Sequence, residues 1–261
     1  MRNSNLGLIC GLLFIAVGCA DNSRSKAELH EGFASLEAKQ YDQALAKADA
    51  FLQHTPQGPG SAEALYLKGR ALEQKAVANK TQARDALQSA RETYLQALRH
   101  NPSPRLEAYI HTSLANVAYF QDDYNSAISE WSVAFDKLEN ADVKCWVLYR
   151  LGLCHQRMGH FSQADEIFAR VEQEYSGTVP AQRAHEHKGI RGFSVQLATF
   201  GSAQPAESAV ATLRREGVMA NRQSDTKGHY IVMVGPLGSY PQAQALKARY
   251  AARYPDAVVI P

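Results

Sequence analysis

The chain has 261 residues, 45% apolar and 21% charged, with a formal net charge of +2. That length suits one large or two modest folded units, and that composition excludes a disordered chain. A near-neutral balance gives a nucleic-acid partner no bulk electrostatic support. The N-terminus opens with Arg2 and then the apolar run LGLICGLLFIAVG, Leu6–Gly18, which ends at Cys19. These 13 residues would make a helix of about 20 Å, short of the ~30 Å hydrocarbon core of a bilayer. A positive start, a short apolar core and small residues before a cut predict a secretory signal over residues 1–18.

The end of that run, AVGC at Ala16–Cys19, resembles the lipobox of bacterial lipoproteins, although Ala16 stands where that family usually has Leu. The resemblance implies cleavage before Cys19, acylation of its thiol and new amine, and a lipid-anchored chain facing the periplasm, at the outer membrane. Several acyl chains make a stable anchor, since each buried CH₂ contributes about 0.8 kcal/mol. Ordinary secretion with a nearby cut is the alternative. Residues 19–25 read as a tether between lipid and fold. Cys145 and Cys154 lie nine residues apart on one predicted helix. They would face opposite sides roughly 13 Å apart, beyond the ~7 Å a disulfide spans. Both are expected as small buried residues.

From Lys26 the chain repeats. EGFASLEAKQYDQALAKADAFLQHTP, TSLANVAYFQDDYNSAISEWSVAFDKLEN and YRLGLCHQRMGHFSQADEIFARVEQEYSG align. A small residue recurs at Gly32, Gly69, Ala115 and Gly152, at intervals of 37, 46 and 37. The long interval holds an insertion near Val77–Arg84. Ala44, Ala90, Ala127 and Ala164 form a second small position, Tyr41, Tyr124 and Phe161 an aromatic one, and Pro56 and Pro102 end two units. This pattern resembles the tetratricopeptide repeat (TPR), in which each unit is a pair of antiparallel helices. The resemblance implies an all-α TPR solenoid of four units over residues 26–188, with PAQRAHEHK from Pro180 starting a closing helix. It also implies a groove for a protein or peptide ligand. Tyr109, Tyr119, Trp131, Trp146 and Tyr149 recur at helical spacing, which predicts packing between helices rather than an aromatic binding surface.

Gly189 and Gly192 flank a short hinge, residues 189–192. The apolar period then switches to two in FSVQLATF, where Phe193, Val195 and Leu197 point one way and Ser194, Gln196 and Ala198 the other. Pro205 opens a helix with the stripe Ala206, Ala209, Val210 and Leu213, closed by Gly217. VMANRQ and GHYIVMVGPLG predict two more strands. Ser239 and Gln242 suggest a capping box for a helix with the stripe Ala243, Leu246 and Tyr250. DAVVIP predicts a last strand. The order βαββαβ implies an antiparallel sheet with two helices on one face, a small ferredoxin-like or RNP-like unit over residues 193–261. The fold class is therefore a two-domain α plus α/β chain.

The strand FSVQLATF, a helix ending at Gly217 and the segment YIVMVGPLGSYPQAQALKARY together resemble the SPOR domain. The resemblance implies binding to peptidoglycan, at glycan strands lacking stem peptides, in wall remodelling or cell division. Such a glycan offers hydroxyls, N-acetyl groups and apolar ring faces, so it needs amides and an apolar platform rather than a cleft. By strand alternation the face away from the helices carries Ser194, Gln196, Ala198 and Phe200, with Ile231 and Met233 on the third strand. These six are the candidate glycan contacts, and Gln196 brings both donors and an acceptor. Tyr230 shares the parity of the core residues Val232 and Val234. Gly235 and Pro236 match the family's Gly-Pro and read as a turn leaving the sheet. Ile231 and Met233 stand where the family often has polar or basic residues, which opens a second reading, a protein contact on this face. From Phe193 onward there are seven Lys or Arg against four Asp or Glu, a mild excess that a polyanionic envelope tolerates.

No nucleophile elbow, phosphate loop or dinucleotide fingerprint occurs, so neither an enzyme nor a cofactor is expected. His185 and His187 diverge by about 200° on a helix and cannot share a metal. His155 and His160 flank a helix turn and suggest no site either. The βαββαβ order also occurs in RNA-binding domains, but the stacking positions would hold His229 and Ile231 rather than two aromatics.

Overall fold

In the computed structural model the described residues are 23–78 and 83–261. The signal segment and Cys19 lie outside them. Among the described residues no helix is long and apolar enough to cross a membrane. Packing divides the chain into two units at Leu151/Gly152.

The first unit holds α1 (Ser23–Glu37), α2 (Tyr41–His54), α3 (Ser61–Ala78), α4 (Ala83–Arg99), α5 (Pro104–Phe120), α6 (Tyr124–Lys137) and most of α7 (Ala141–Arg157). The helices pair as α1/α2, α3/α4 and α5/α6. Small residues sit where the pairs close. Ala44, Ala90 and Ala127 have no exposed surface. A Cβ on Gly69 would lie 2.5 Å from Cε1 of the Tyr94 ring. The aromatic position opens two of the three second helices: Tyr41 begins α2 and Tyr124 begins α6, whereas α4 begins at Ala83. Two residues earlier the backbone turns left-handed, at Lys39 (φ 60°) and Asp122 (φ 60°). Asp123 then caps α6, its carboxylate accepting from the Ser126 N–H at 3.1 Å. Tyr109, Tyr119, Trp131 and Tyr149 are buried, as their spacing predicts.

The second unit begins with the last turns of α7, followed by α8 (Phe161–Glu174) and α9 (Val179–His187). The same repeat logic returns here. Gly152 faces Phe168, whose Cε1 a Cβ would approach to 2.5 Å, Ala164 is fully buried, and Gly159 supplies the left-handed turn before Phe161. Gln156 and His187 bond reciprocally: the Gln156 amide donates to the His187 carbonyl at 2.8 Å, and His187 Nδ1 lies 2.8 Å from Gln156 Oε1. His185 instead pairs with Glu172 at 2.7 Å. Cys145 in the first unit and Cys154 in the second are buried and carry no disulfide.

Residues 189–192 are fastened to α8. Asp165 accepts from the Gly189 N–H at 2.9 Å and from Arg191 Nη2 at 2.6 Å. Then come β1 (Phe193–Phe200), α10 (Ala203–Arg215), β2 (Ala220–Ser224), β3 (Tyr230–Leu237), α11 (Tyr240–Tyr250) and β4 (Val258–Ile260). The sheet is antiparallel in the order β2-β3-β1-β4, the βαββαβ arrangement read from the sequence. Helix α10 starts two residues before Pro205. Val195, Leu197, Ala206, Leu213, Val232 and Ala243 are at most 1% exposed and form the centre of the core between sheet and helices. At the head of α11, Ser239 Oγ accepts from the Gln242 N–H at 3.5 Å, while Gln242 Oε1 accepts from the N–H of Gly238 rather than that of Ser239.

Candidate functional site: the open face of the sheet

Within the second unit the helices packed on these strands are α10 and α11. The register decides which side chains share the other face, because directly paired residues of antiparallel strands point the same way. Gln196 pairs with Met233 on β3 and with Val258 on β4. Ser194 pairs with Ile260, and Asn221 and Gln223 on β2 pair with Met233 and Ile231. The candidates Ser194, Gln196, Ile231 and Met233 therefore share one face.

Ala198 and Phe200 do not. The register slips between Gln196 and Ala198, so that Leu197 and Ala198 both stand opposite Val232. An extra residue in one strand inverts the parity of everything after it. Ala198 thus shares the face of the buried Val232. Phe200 pairs with Tyr230, and both rings pack against the helix-side core. The parity expected for Phe200 is corrected by this bulge, and that for Tyr230 holds. Thr199 takes the place on the open face, opposite Ile231, and its hydroxyl accepts from Gln196 Nε2 at 3.1 Å.

A second irregularity corrects the reading of Gly235 and Pro236. They lie inside β3, which runs on to Leu237. Phe193 pairs with Leu237 and Val195 with Val234, so three steps on β3 match two on β1. Gly235 has φ 151°, and a Cβ there would sit 2.5 Å from Ser194 Oγ. The glycine lets β3 bulge against β1, and no turn leaves the sheet at this point.

The face so assembled carries Ser194, Gln196 and Thr199 on β1, Asn221 and Gln223 on β2, Ile231 and Met233 on β3, and Val258 and Ile260 on β4. Among the described residues the register places no Asp, Glu, Lys or Arg on it. Arg222, next in sequence, lies on the helix side, 3.7 Å from Glu207 and over the Tyr230 ring. The apolar members form two strips, Ile231 and the buried Met233 on β3 and Val258, 43% exposed, with Ile260 on the edge strand β4. Ser194, Gln196 and Thr199 of β1 lie between the strips, and Asn221 and Gln223 of β2 lie beyond β3. Asn221 Oδ1 is buried with no hydrogen-bond donor among the described residues, a state that costs about 1–3 kcal/mol when no ligand or water answers it. Such a surface can stack on an apolar ring face and exchange hydrogen bonds with amides and hydroxyls. Thr199, Asn221, Gln223, Val258 and Ile260 were missed by the sequence reading. Carrying the alternation through β2 and β4 would have found the last four, whereas Thr199 required knowledge of the bulge.

Comparison with known proteins places these observations. The SPOR domain model matches residues 190–261 and the Tetratricopeptide repeat model residues 146–178. Comparison with curated proteins finds no match. Among solved structures, a thermophilic TPR protein from Thermus thermophilus has 15% identity and a TM-score of 0.51, covering 63% of this chain and 81% of its own. A tetratricopeptide repeat protein from Parabacteroides merdae has 15% identity and a TM-score of 0.49 over 62% of this chain, which spans 58% of that protein's length. PilF of Pseudomonas aeruginosa has 15% identity and a TM-score of 0.47, covering 89% of this chain and 92% of its own. At such identities the likeness concerns the fold alone. The chain thus carries a SPOR domain over residues 190–261 and a tetratricopeptide repeat over residues 146–178, and the helix pairs α1/α2, α3/α4 and α5/α6 show the same repeat geometry.

Proposed function

We propose that this protein is a non-enzymatic scaffold of the bacterial cell envelope, tethered through its sheet face to peptidoglycan glycan strands that lack stem peptides. A SPOR domain is a peptidoglycan-binding module and TPR repeats are a protein-interaction scaffold; neither match indicates an enzyme family. The observation that carries the finer reading is the uncharged open face, on which apolar strips of β3 and β4 alternate with amide and hydroxyl strips of β2 and β1. Intact stem peptides crowd the strand with amines and carboxylates that this face has no charge to meet, whereas a bare glycan, left with one lactyl carboxylate per muramic residue, lays open its ring faces and N-acetyl groups. Denuded glycan arises where the wall is cut, so the tether directs the repeats to sites of remodelling or division. Acylation at Cys19 would hold the other end in the membrane, the outer one by the lipobox resemblance, with the chain facing the periplasm.

The test is co-sedimentation of the chain from residue 20 onward with sacculi, before and after amidase removal of stem peptides. Enrichment in the amidase-treated pellet supports the reading, and equal absence from both pellets refutes it. A second reading is favoured by one observation: Ile231 and Met233 on β3 and Val258 and Ile260 on β4 give the face two apolar strips that a protein contact could cover. Under it, exchanging Ile231 and Met233 for Arg abolishes capture of a protein partner while sacculus binding is absent from the start.

A further inference from the structure

The open face of the sheet continues past the end of the paired strands. Gln223 pairs with Ile231 and Ser224 with Tyr230. One step further, the Asp225 N–H donates to the His229 carbonyl at 3.0 Å, so Asp225 and His229 extend the same register. Alternation returns them to the side of Gln223 and Ile231. Thr226, Lys227 and Gly228 close the hairpin. The Gly228 N–H donates to the Asp225 carbonyl at 3.2 Å, and Gly228 takes the left-handed conformation, φ 82°, that such a loop requires.

Asp225 fixes the His229 ring in place. Its Oδ1 accepts from the N–H of Lys227 and from the N–H of His229, each at 2.8 Å, and its Oδ2 lies 2.8 Å from His229 Nδ1. The ring first, then the N–H groups of His229 and Lys227, outweigh burial and hold the Asp225 carboxyl below its usual range. It therefore stays an acceptor, and Nδ1 carries the proton. Nε2 is left as the nitrogen that gains or loses charge, on a side chain 46% exposed. The charged residues of this hairpin are Asp225, Lys227 and Arg222. Arg222 lies on the helix side near Glu207, and Lys227 offsets the charge of Asp225. Thr199 and Phe200, across from this end of β3 on β1, carry no charge. With its ring protonated, the tip of the hairpin is net positive, at the rim of a face whose paired positions carry no charge.

We infer that protonated His229 donates from Nε2 to the lactyl carboxylate of a muramic residue lying across the open face, and so reads the group that amidase cutting sets free. In an intact strand that carbonyl is an uncharged amide to the stem peptide. Hydrolysis of the amide yields the lactyl carboxylate and the amine of the released peptide. Ring faces and N-acetyl groups occur in both strands, whereas the carboxylate exists only after the cut. Imidazole changes charge between about pH 5 and 8, so the contact strengthens as pH falls through that interval. A neutral ring would turn a lone pair toward the carboxylate. The inference rests on the reading of the sheet face as a tether to bare glycan and names the group that gives the tether its selectivity.

The experiment is calorimetric titration of the chain from residue 20 onward with two soluble glycans at constant ionic strength. One is denuded oligosaccharide from amidase-treated sacculi, and the other is the same material with its lactyl carboxylates converted to methyl amides. At about pH 5.5 the free acid should bind about fivefold tighter than the methyl amide, the worth of a partly exposed charge-assisted hydrogen bond. At about pH 8 the difference should vanish. His229→Gln, with folding checked by circular dichroism, should bind both glycans alike at both pH values. Equal affinity of the unaltered chain for acid and methyl amide at the lower pH overturns the inference without recourse to any variant and leaves the tether standing. A preference for the acid that survives in folded His229→Gln also overturns it and assigns the preference to other charges. Binding of neither glycan at either pH refutes the tether and this inference together.

Discussion

Gly69→Ala should destabilise the first unit, although alanine is the better helix former. On an exposed helix face the exchange would stabilise by about 1 kcal/mol. At Gly69 the new methyl would sit 2.5 Å from Cε1, 2.7 Å from Cδ1 and 3.0 Å from Cζ of Tyr94. That ring has no exposed surface, and its hydroxyl holds the buried Glu73 at 2.6 Å. To make room the ring must shift, and overpacking of this kind costs about 1–3 kcal/mol. A shift also strains a hydrogen bond to a charged group worth about 1.5–3 kcal/mol. The net is a loss of about 2 kcal/mol or more. Gly32 supplies the comparison, since the atom its Cβ would meet first is a terminal methyl of Leu67, the far end of a flexible chain. Gly32→Ala should therefore cost less than about 1 kcal/mol after the helix gain. Urea unfolding followed by far-ultraviolet circular dichroism reads both. If Gly69→Ala proved as stable as the unaltered chain, or no worse than Gly32→Ala, close approach would not be the reason for the repeat's small position.

Three further outcomes are expected. Gln196→Ala and Thr199→Ala should each weaken sacculus binding about fivefold, the worth of a hydrogen bond of about 1 kcal/mol, with thermal stability unchanged. Phe200→Ala should lower stability by about 2 kcal/mol, less than a fully buried ring would, and leave binding by the folded protein intact; a binding loss without a stability loss would restore Phe200 to the open face. Burial first, then Arg157 and Arg183, holds His187 below its usual pKa, and burial with His160 does the same to His155. Both favour the neutral form when folded, so the stability they lend is complete above about pH 6.5 and declines as pH falls through the depressed folded values. Urea midpoints should drop between pH 7.5 and 5.5, and a His155→Gln, His187→Gln double variant should flatten that slope. For Asp165, burial pushes the carboxyl up, but Arg191 and the Gly189 N–H outweigh it and hold it low. The clasp on residues 189–192 thus persists down to about pH 4, and Asp165→Ala should raise proteolytic cutting there at neutral pH.

How much of this was legible in the sequence depended on whether a feature repeats. The small and aromatic positions recur from unit to unit, so that Gly32, Gly69 and Gly152 could be compared before any contact was known. The left-handed turns at Lys39, Asp122 and Gly159 follow the same rule, yet three different residue types occupy that place and no composition signal marks it. In the sheet the core stripes of α10 and α11 were visible because each is a local periodicity. The bulge at Leu197 was not, because its cause is non-local. The peptide of eight residues alternates cleanly on its own, and only the partner strand reveals that Leu197 and Ala198 share one opposite number. The physical reason lies in the side chains that the slip selects. With unbroken alternation, Phe200 would stand in water on the open face and Thr199 would face the core. The extra residue turns Phe200 inward against Tyr230, where its ring is half-buried, and brings the Thr199 hydroxyl beside Gln196. One inserted residue thus converts an aromatic patch into a hydrogen-bonding one. The polarity of this end of the face therefore follows from the register, and a variant that restored unbroken pairing would exchange the Thr199 hydroxyl for the Phe200 ring while leaving the Gln196 amide in place.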